Sequence, residues 1–62
     1  MQVKLFSRPL ADLADLEAEV NRWLAANPKL ITIQRDADVY RDHATGKEGV
    51  LLILWYEPKS SL

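Results

Sequence analysis

The chain has 62 residues, no cysteine and one histidine, and its eight Lys and Arg against nine Asp and Glu leave a net charge of −1. A domain of this size buries only about 60% of the surface that its unfolded chain exposes. Neither a disulfide nor a four-ligand zinc site of the usual kind can stabilise this domain. We therefore expect one small domain over residues 1–62 that gains stability as a homodimer or higher homo-oligomer.

The charge pattern and the longest apolar run exclude two classes of partner. The cations are isolated or flanked by acids, whereas a nucleic-acid-binding surface needs a basic stripe. The apolar run 50–56 is too short to span a bilayer, and the N-terminus lacks the apolar segment of a signal peptide. We expect a cytoplasmic protein that binds neither nucleic acid nor a membrane.

The first half of the chain predicts a strand followed by a helix. Residues 3–6 form a short strand, with Val3 and Leu5 on one face and Lys4 and Phe6 on the other. Residues 7–9 turn the chain into a helix over residues 10–26, which ends at Asn27 because the residue before proline avoids the helical region. The apolar residues of this helix form one stripe, predicted to be buried: Leu10, Leu13, Leu16, Val20, Trp23 and Leu24.

The second half predicts a hairpin. Residues 30–40 alternate as a half-buried strand, and residues 41–49 have the Asp, Thr and Gly content of a long, mobile hairpin loop. The last strand runs from residue 50 to 57, and Pro58 begins a polar tail over residues 58–62. No repeat or linker interrupts this order.

The element order strand, helix, strand, strand indicates an α+β fold with one helix packed on a three-stranded sheet. A helical crossover favours parallel placement of the first two strands, and the third strand then inserts between them, antiparallel to both. The predicted strand order is 2-3-1. It places the most apolar strand in the centre and the more polar strands at the edges.

One face of this sheet lacks a cover. We predict that the helix covers one face, whose apolar residues are Val3, Leu5, Ile31, Ile33, Ala37 and Val39. The last strand adds one of two sets to that face, either Val50, Leu52, Leu54 and Tyr56 or Leu51, Ile53 and Trp55. The alternation leaves open which set it is. Either choice leaves large apolar side chains on the opposite face.

Two hypotheses account for the uncovered face, and its plain partial exposure to solvent is the alternative to both. In the first, a second copy packs on it, and the interface residues are Leu51, Ile53, Trp55, Phe6 and Tyr40. The protein is then an interaction or regulatory module without enzymatic activity. In the second, Trp55, Tyr56 and Tyr40 stack on a flat aromatic ligand such as a flavin.

Neither a catalytic nor a metal site emerges from the motifs. The acids around the hairpin (Asp36, Asp38, Asp42 and Glu48) and His43 match no calcium loop. They are predicted to be a solvated acidic cluster without a metal. His43 has no nucleophile or orienting partner at a recognisable spacing, so we expect no catalytic residues and no cofactor.

The segments together resemble a family of short sporulation-associated proteins of Gram-positive spore formers, the Cse type. The likeness is carried by "VKLF", by the helix residues of "DLEAEVNRWL", by "LITIQ" and by the closing "LLILWYE". The resemblance implies a small intracellular protein that has a link to sporulation and no assigned chemistry, and it carries no catalytic residue to this chain. The pattern also fits a broader family of proteins of the same size.

A second likeness is to dodecins, which share the strand, helix, strand, strand order and assemble into flavin-binding shells. In the dodecin pattern a flavin-stacking Trp comes just before the second strand, whereas this chain has "NPKLITIQ" there, without an aromatic residue. The resemblance is therefore one of topology alone.

Overall fold

A computed structural model describes residues 1–59 as a helix on a three-stranded sheet. Strand β1 spans Gln2–Pro9, and one turn of 3-10 helix, Leu10–Asp12, leads into helix α1, Leu13–Ala26. Strands β2, Leu30–Arg41, and β3, Glu48–Pro58, form a long hairpin. The last three residues of the predicted polar tail lie outside the described residues. No helix within residues 1–59 is long and apolar enough to cross a membrane.

The sheet has the predicted order, β1-β3-β2, and β3 pairs antiparallel with both neighbours. The predicted α+β fold with a central last strand is confirmed. β3 is central because both of its faces are apolar, so it has backbone partners on both edges and side-chain contacts on both sides. β2 and β1 are then the edge strands.

The strands are longer than the sequence predicts at two places. Ser7, Arg8 and Pro9 continue β1 opposite residues 49–51, so the predicted turn at residues 7–9 is wrong. The hairpin loop is shorter than predicted, because the Asp42 N–H donates to the Lys47 carbonyl at 2.8 Å and closes the turn. Gly46 lies in this turn with φ at 71°, a conformation that glycine adopts without strain.

The core settles which set of β3 residues meets the helix. Phe6, Leu16 and Leu54 are buried, and Val20, Trp23, Val50 and Leu52 pack against them. The helix therefore contacts the even-numbered set of β3. The Trp23 ring stands edge-on to Phe6, with ring centroids 5.9 Å apart, and to Tyr56, at 5.2 Å. These aromatic contacts attach the C-terminal half of α1 to the sheet.

The predicted faces of β1 are reversed. Phe6 is 2% exposed on the helix side, whereas Val3 and Leu5, expected in the core, are 49% and 56% exposed on the other side. The helix side accommodates the cations of β1 because their long stems reach its rim. The Lys4 amine lies 5.3 Å from the centroid of the Phe6 ring, and Arg8 extends to Glu19 on α1.

A β-bulge changes the faces of β2. Thr32 lies opposite Tyr56 and Gln34 opposite Trp55, so one extra residue interrupts the alternation. Beyond the bulge, Ala37 and Val39 lie opposite Leu52 and Val50 on the helix side, as predicted. Before the bulge, Ile31 lies opposite Glu57 on the outer side, so its predicted place beneath the helix is wrong. Ile33, also predicted to be core, is exposed at the bulge.

The helix covers only part of the sheet. It has 14 residues and spans about 21 Å, whereas the 12 residues of β2 span about 40 Å. It lies closest to β1 and reaches β3 through side chains such as Trp23, which contacts Tyr56. Ala37 and Val39 of β2 remain exposed. Of the stripe predicted to be buried, Leu16, Val20 and Trp23 face the sheet, but Leu10, Leu13 and Leu24 are exposed.

Candidate functional site: the outer face of the sheet

The sheet face opposite the helix carries a continuous apolar surface. Five side chains from the two adjacent strands β1 and β3 form it, and we call them the outer patch: Val3, Leu5, Leu51, Ile53 and Trp55. Val3 lies directly opposite Trp55, and Leu5 directly opposite Ile53. Directly opposed side chains in an antiparallel pair are about 5 Å apart, so these residues form one surface. Val3 and Leu5 are exposed, and Leu51, Ile53 and Trp55 are half-buried.

A polar and acidic border runs along one side of the outer patch. On β2, Gln34 lies opposite Trp55, Asp36 opposite Ile53 and Asp38 opposite Leu51. Each β3 residue of the patch thus has a polar or acidic neighbour on the β2 side. The face is apolar over β1 and β3 and becomes negatively charged toward the β2 edge.

Tyr40 closes one end of this face. It lies opposite Gly49, and its ring crosses the glycine so closely that an added Cβ would lie 2.6 Å from the tyrosine Cζ. The tyrosine hydroxyl reaches Ser7 on β1, at 2.8 Å between the two oxygens. Tyr40 therefore bridges all three strands, and glycine is required at position 49 for the ring to sit flat.

The structure brings together most of the predicted interface residues. Leu51, Ile53 and Trp55 share the outer face, and Tyr40 lies at its end. Phe6 does not belong to this face, because it is buried under the helix. Val3 and Leu5 take its place. The sequence feature that indicates this is the pair of cations Lys4 and Arg8, which lie on the same face of β1 as Phe6. Their long side chains can reach the rim of a face that a helix covers, which leaves Val3 and Leu5 on the outer face.

The structure separates the three aromatic residues of the ligand hypothesis. Trp55 and Tyr40 share the outer face, but Tyr40 lies opposite Gly49, six residues along β3 from Trp55 and thus about 20 Å away. Tyr56 lies on the other face of the sheet against Trp23. No single planar ligand of flavin size contacts all three.

An ion pair and an apolar groove lie on the helix side of the sheet. The Arg8 guanidinium donates two hydrogen bonds to Glu19 Oε2, at 3.0 and 2.8 Å, and this contact raises the pKa of Arg8. The flank groove lies along the side of α1 nearer β2 and has a volume of about 350 Å³; its lining is Leu13, Leu16, Glu17, Val20, Asn21 and Leu52. It is a second surface that the monomer leaves uncovered.

The acids near the hairpin make backbone hydrogen bonds. Asp36 and Asp38 each accept from the N–H of the next residue at 2.9 Å, and Asp42 accepts from the N–H of Ala44 at 2.9 Å. Within residues 1–59, no three His, Asp or Glu side chains are grouped so as to hold a metal ion. These carboxylates organise an edge strand and a turn.

The whole molecule is extended for its length. Its radius of gyration is 13.6 Å, compared with about 10.6 Å for a compact domain of 62 residues. Its accessible surface is 4905 Å², about 800 Å² more than the typical value for a 7.1 kDa monomer. The excess is close to the area of about 800 Å² that each partner of a standard interface buries.

Comparisons with protein-family models, with curated proteins and with solved structures find no match to this chain.

Proposed function

We propose that this protein is a small non-enzymatic interaction module that associates with a second copy of itself through the outer patch. The observation that carries the proposal is the continuity of five exposed or half-buried apolar side chains across β1 and β3, bordered by polar and acidic residues on β2. An apolar centre with a polar rim is the usual anatomy of a protein interface.

The small size of the core supports the same proposal. Among residues 1–59, three side chains are buried as its centre, Phe6, Leu16 and Leu54. Packing two outer faces together places a second apolar layer on the other side of β3, so that the central strand is covered on both faces. Trp55, Ile53 and Leu51 are the anchors, because they lie on the central strand, and Val3 and Leu5 extend the contact over β1.

The test compares two leucines on opposite faces. Leu5 lies in the outer patch and is 56% exposed, and Leu13 lines the flank groove and is 49% exposed. We expect Leu5→Glu to convert the dimer into a folded monomer. Its carboxylate must enter the apolar contact twice, once from each copy, where an unpaired charge is strongly unfavourable. The matched variant Leu13→Glu should keep the wild-type mass.

Multi-angle light scattering after gel filtration measures the mass, and far-UV circular dichroism verifies the fold of both variants. Ile53→Glu provides a second test on the central strand, with the same expected outcome, a folded monomer. If Leu13→Glu is a monomer and Leu5→Glu remains a dimer, the interface lies at the flank groove, which would contradict the proposal. A dimer that resists both Leu5→Glu and Ile53→Glu would also contradict it.

A further inference from the structure

The free edge of β2 is a second surface with consequences for assembly. β2 is an edge strand of 12 residues, about 40 Å long. A long, exposed edge normally presents unpaired N–H and C=O groups on which another strand can add. Within residues 1–59 no helix covers this edge, because α1 lies over β1 on the far side of the sheet.

Two N–H groups in the middle of β2 already have acceptors. The Ala37 N–H donates to Asp36 Oδ1 and the Val39 N–H donates to Asp38 Oδ1, each at 2.9 Å. Residues two apart in a strand point their N–H groups to the same side. A donor turned toward β3 would bond in its ladder, whereas these two bond to carboxylates of their own strand. They therefore face the free edge.

We propose that Asp36 and Asp38 close the β2 edge to strand addition by a second copy of the chain. An incoming strand would have to displace two hydrogen bonds to ionised acceptors, which are stronger than those between neutral groups. Its own carbonyl oxygens would also approach the two carboxylates. The two aspartates thus disfavour association through the β2 edge. This inference concerns a different surface from the outer patch and does not depend on it.

The test uses two double variants in a Leu5→Glu background, so that association through the outer patch does not contribute. Asp36→Ala/Asp38→Ala removes both acceptors. Asp36→Asn/Asp38→Asn removes the charges but keeps an oxygen at each position that can accept the N–H. Light scattering across the micromolar range reports association, and amide hydrogen exchange by NMR reports the state of the Ala37 and Val39 N–H groups.

We expect the alanine double variant to associate as its concentration rises, with exchange at Ala37 and Val39 slowing several-fold as their N–H groups enter a new ladder. The asparagine double variant keeps neutral acceptors but loses the charges, so it should associate less than the alanine double variant at every concentration. The inference is overturned if the alanine variant keeps the mass of its background, or associates without protecting these two amides. Equal association of the asparagine and alanine variants would also overturn it. The mass of the Leu5→Glu variant by itself tests the outer patch, and the aspartate variants test the β2 edge. The two proposals can therefore fail independently.

Discussion

Adjacent residues of β1 offer a direct test of the face assignment. Phe6 is 2% exposed at the centre of the core, and Leu5 is 56% exposed on the opposite face. We expect Phe6→Ala to reduce the free energy of unfolding by about 3–5 kcal/mol, the usual effect of removing a buried aromatic side chain. A domain of 62 residues has about 3–9 kcal/mol in total. The variant should therefore lose at least about a third of this stability and unfold at a much lower urea concentration than the unmodified protein.

Leu5→Ala should have a much smaller effect on the isolated chain. Full burial of a leucine is worth about 1.5–3 kcal/mol, and Leu5 keeps more than half of its surface in water. The expected loss is therefore about 1 kcal/mol. Association through the outer patch adds a further loss that grows with protein concentration, because ligand-like binding of a second copy stabilises the folded state by mass action.

Urea unfolding followed by far-UV circular dichroism measures both variants at several matched concentrations. Circular dichroism is preferred to tryptophan fluorescence, because the Trp23 ring contacts Phe6 and changes its environment in one variant alone. The reasoning is refuted if Leu5→Ala costs as much as Phe6→Ala at the lowest concentration. That result would place Leu5 in the core, as the alternation of β1 alone predicts.

Two glycine substitutions test the ends of the hairpin. Gly46→Ala should lower the free energy of unfolding by about 1 kcal/mol in urea titrations. The cost comes from the backbone alone, because φ is 71° and no atom lies within 4 Å of the added Cβ. An unchanged urea midpoint would contradict the turn conformation. Gly49→Ala should displace the Tyr40 ring and break its hydrogen bond with Ser7, at a cost below about 1.5 kcal/mol. Loss of the NMR cross-peaks between Tyr40 and Ser7 would verify this displacement, and their retention would refute it.

The types of element and their order in the sheet could be predicted from the sequence. Hydrophobic periodicity identifies α1, the proline after Asn27 marks its end, and the uninterrupted apolar run of β3 requires the central position. These features depend on local geometry and on the need to pair and cover a strand. The topology β1-β3-β2 follows from them with few alternatives.

The faces could not be predicted in the same way. In β1 the alternation separates Val3 and Leu5 from Phe6, and simple polarity favours the side without Lys4. The structure reverses this choice because Lys4 lies over the Phe6 ring and Arg8 binds Glu19, both at the rim of the helix side. In β2 the bulge between Thr32 and Gln34 shifts the register by one residue. No residue pattern in that strand predicts the bulge.

The extent of helix coverage also lay beyond sequence reasoning. The stripe of α1 was continuous, but its burial depends on where the helix lies over the sheet. α1 lies toward β1, so Leu13 and Leu24 remain exposed and β2 receives no cover. Periodicity identifies which residues share a side of a helix, and the tertiary contact decides how much of that side is buried.

The solution mass of the unmodified protein tests the central proposal most directly. Multi-angle light scattering after gel filtration at several concentrations gives this mass without any substitution. We expect twice the chain mass of 7.1 kDa, or a larger multiple, with the outer patch covered by a second copy. A folded species of 7.1 kDa at every concentration would contradict self-association and leave the outer patch exposed to solvent.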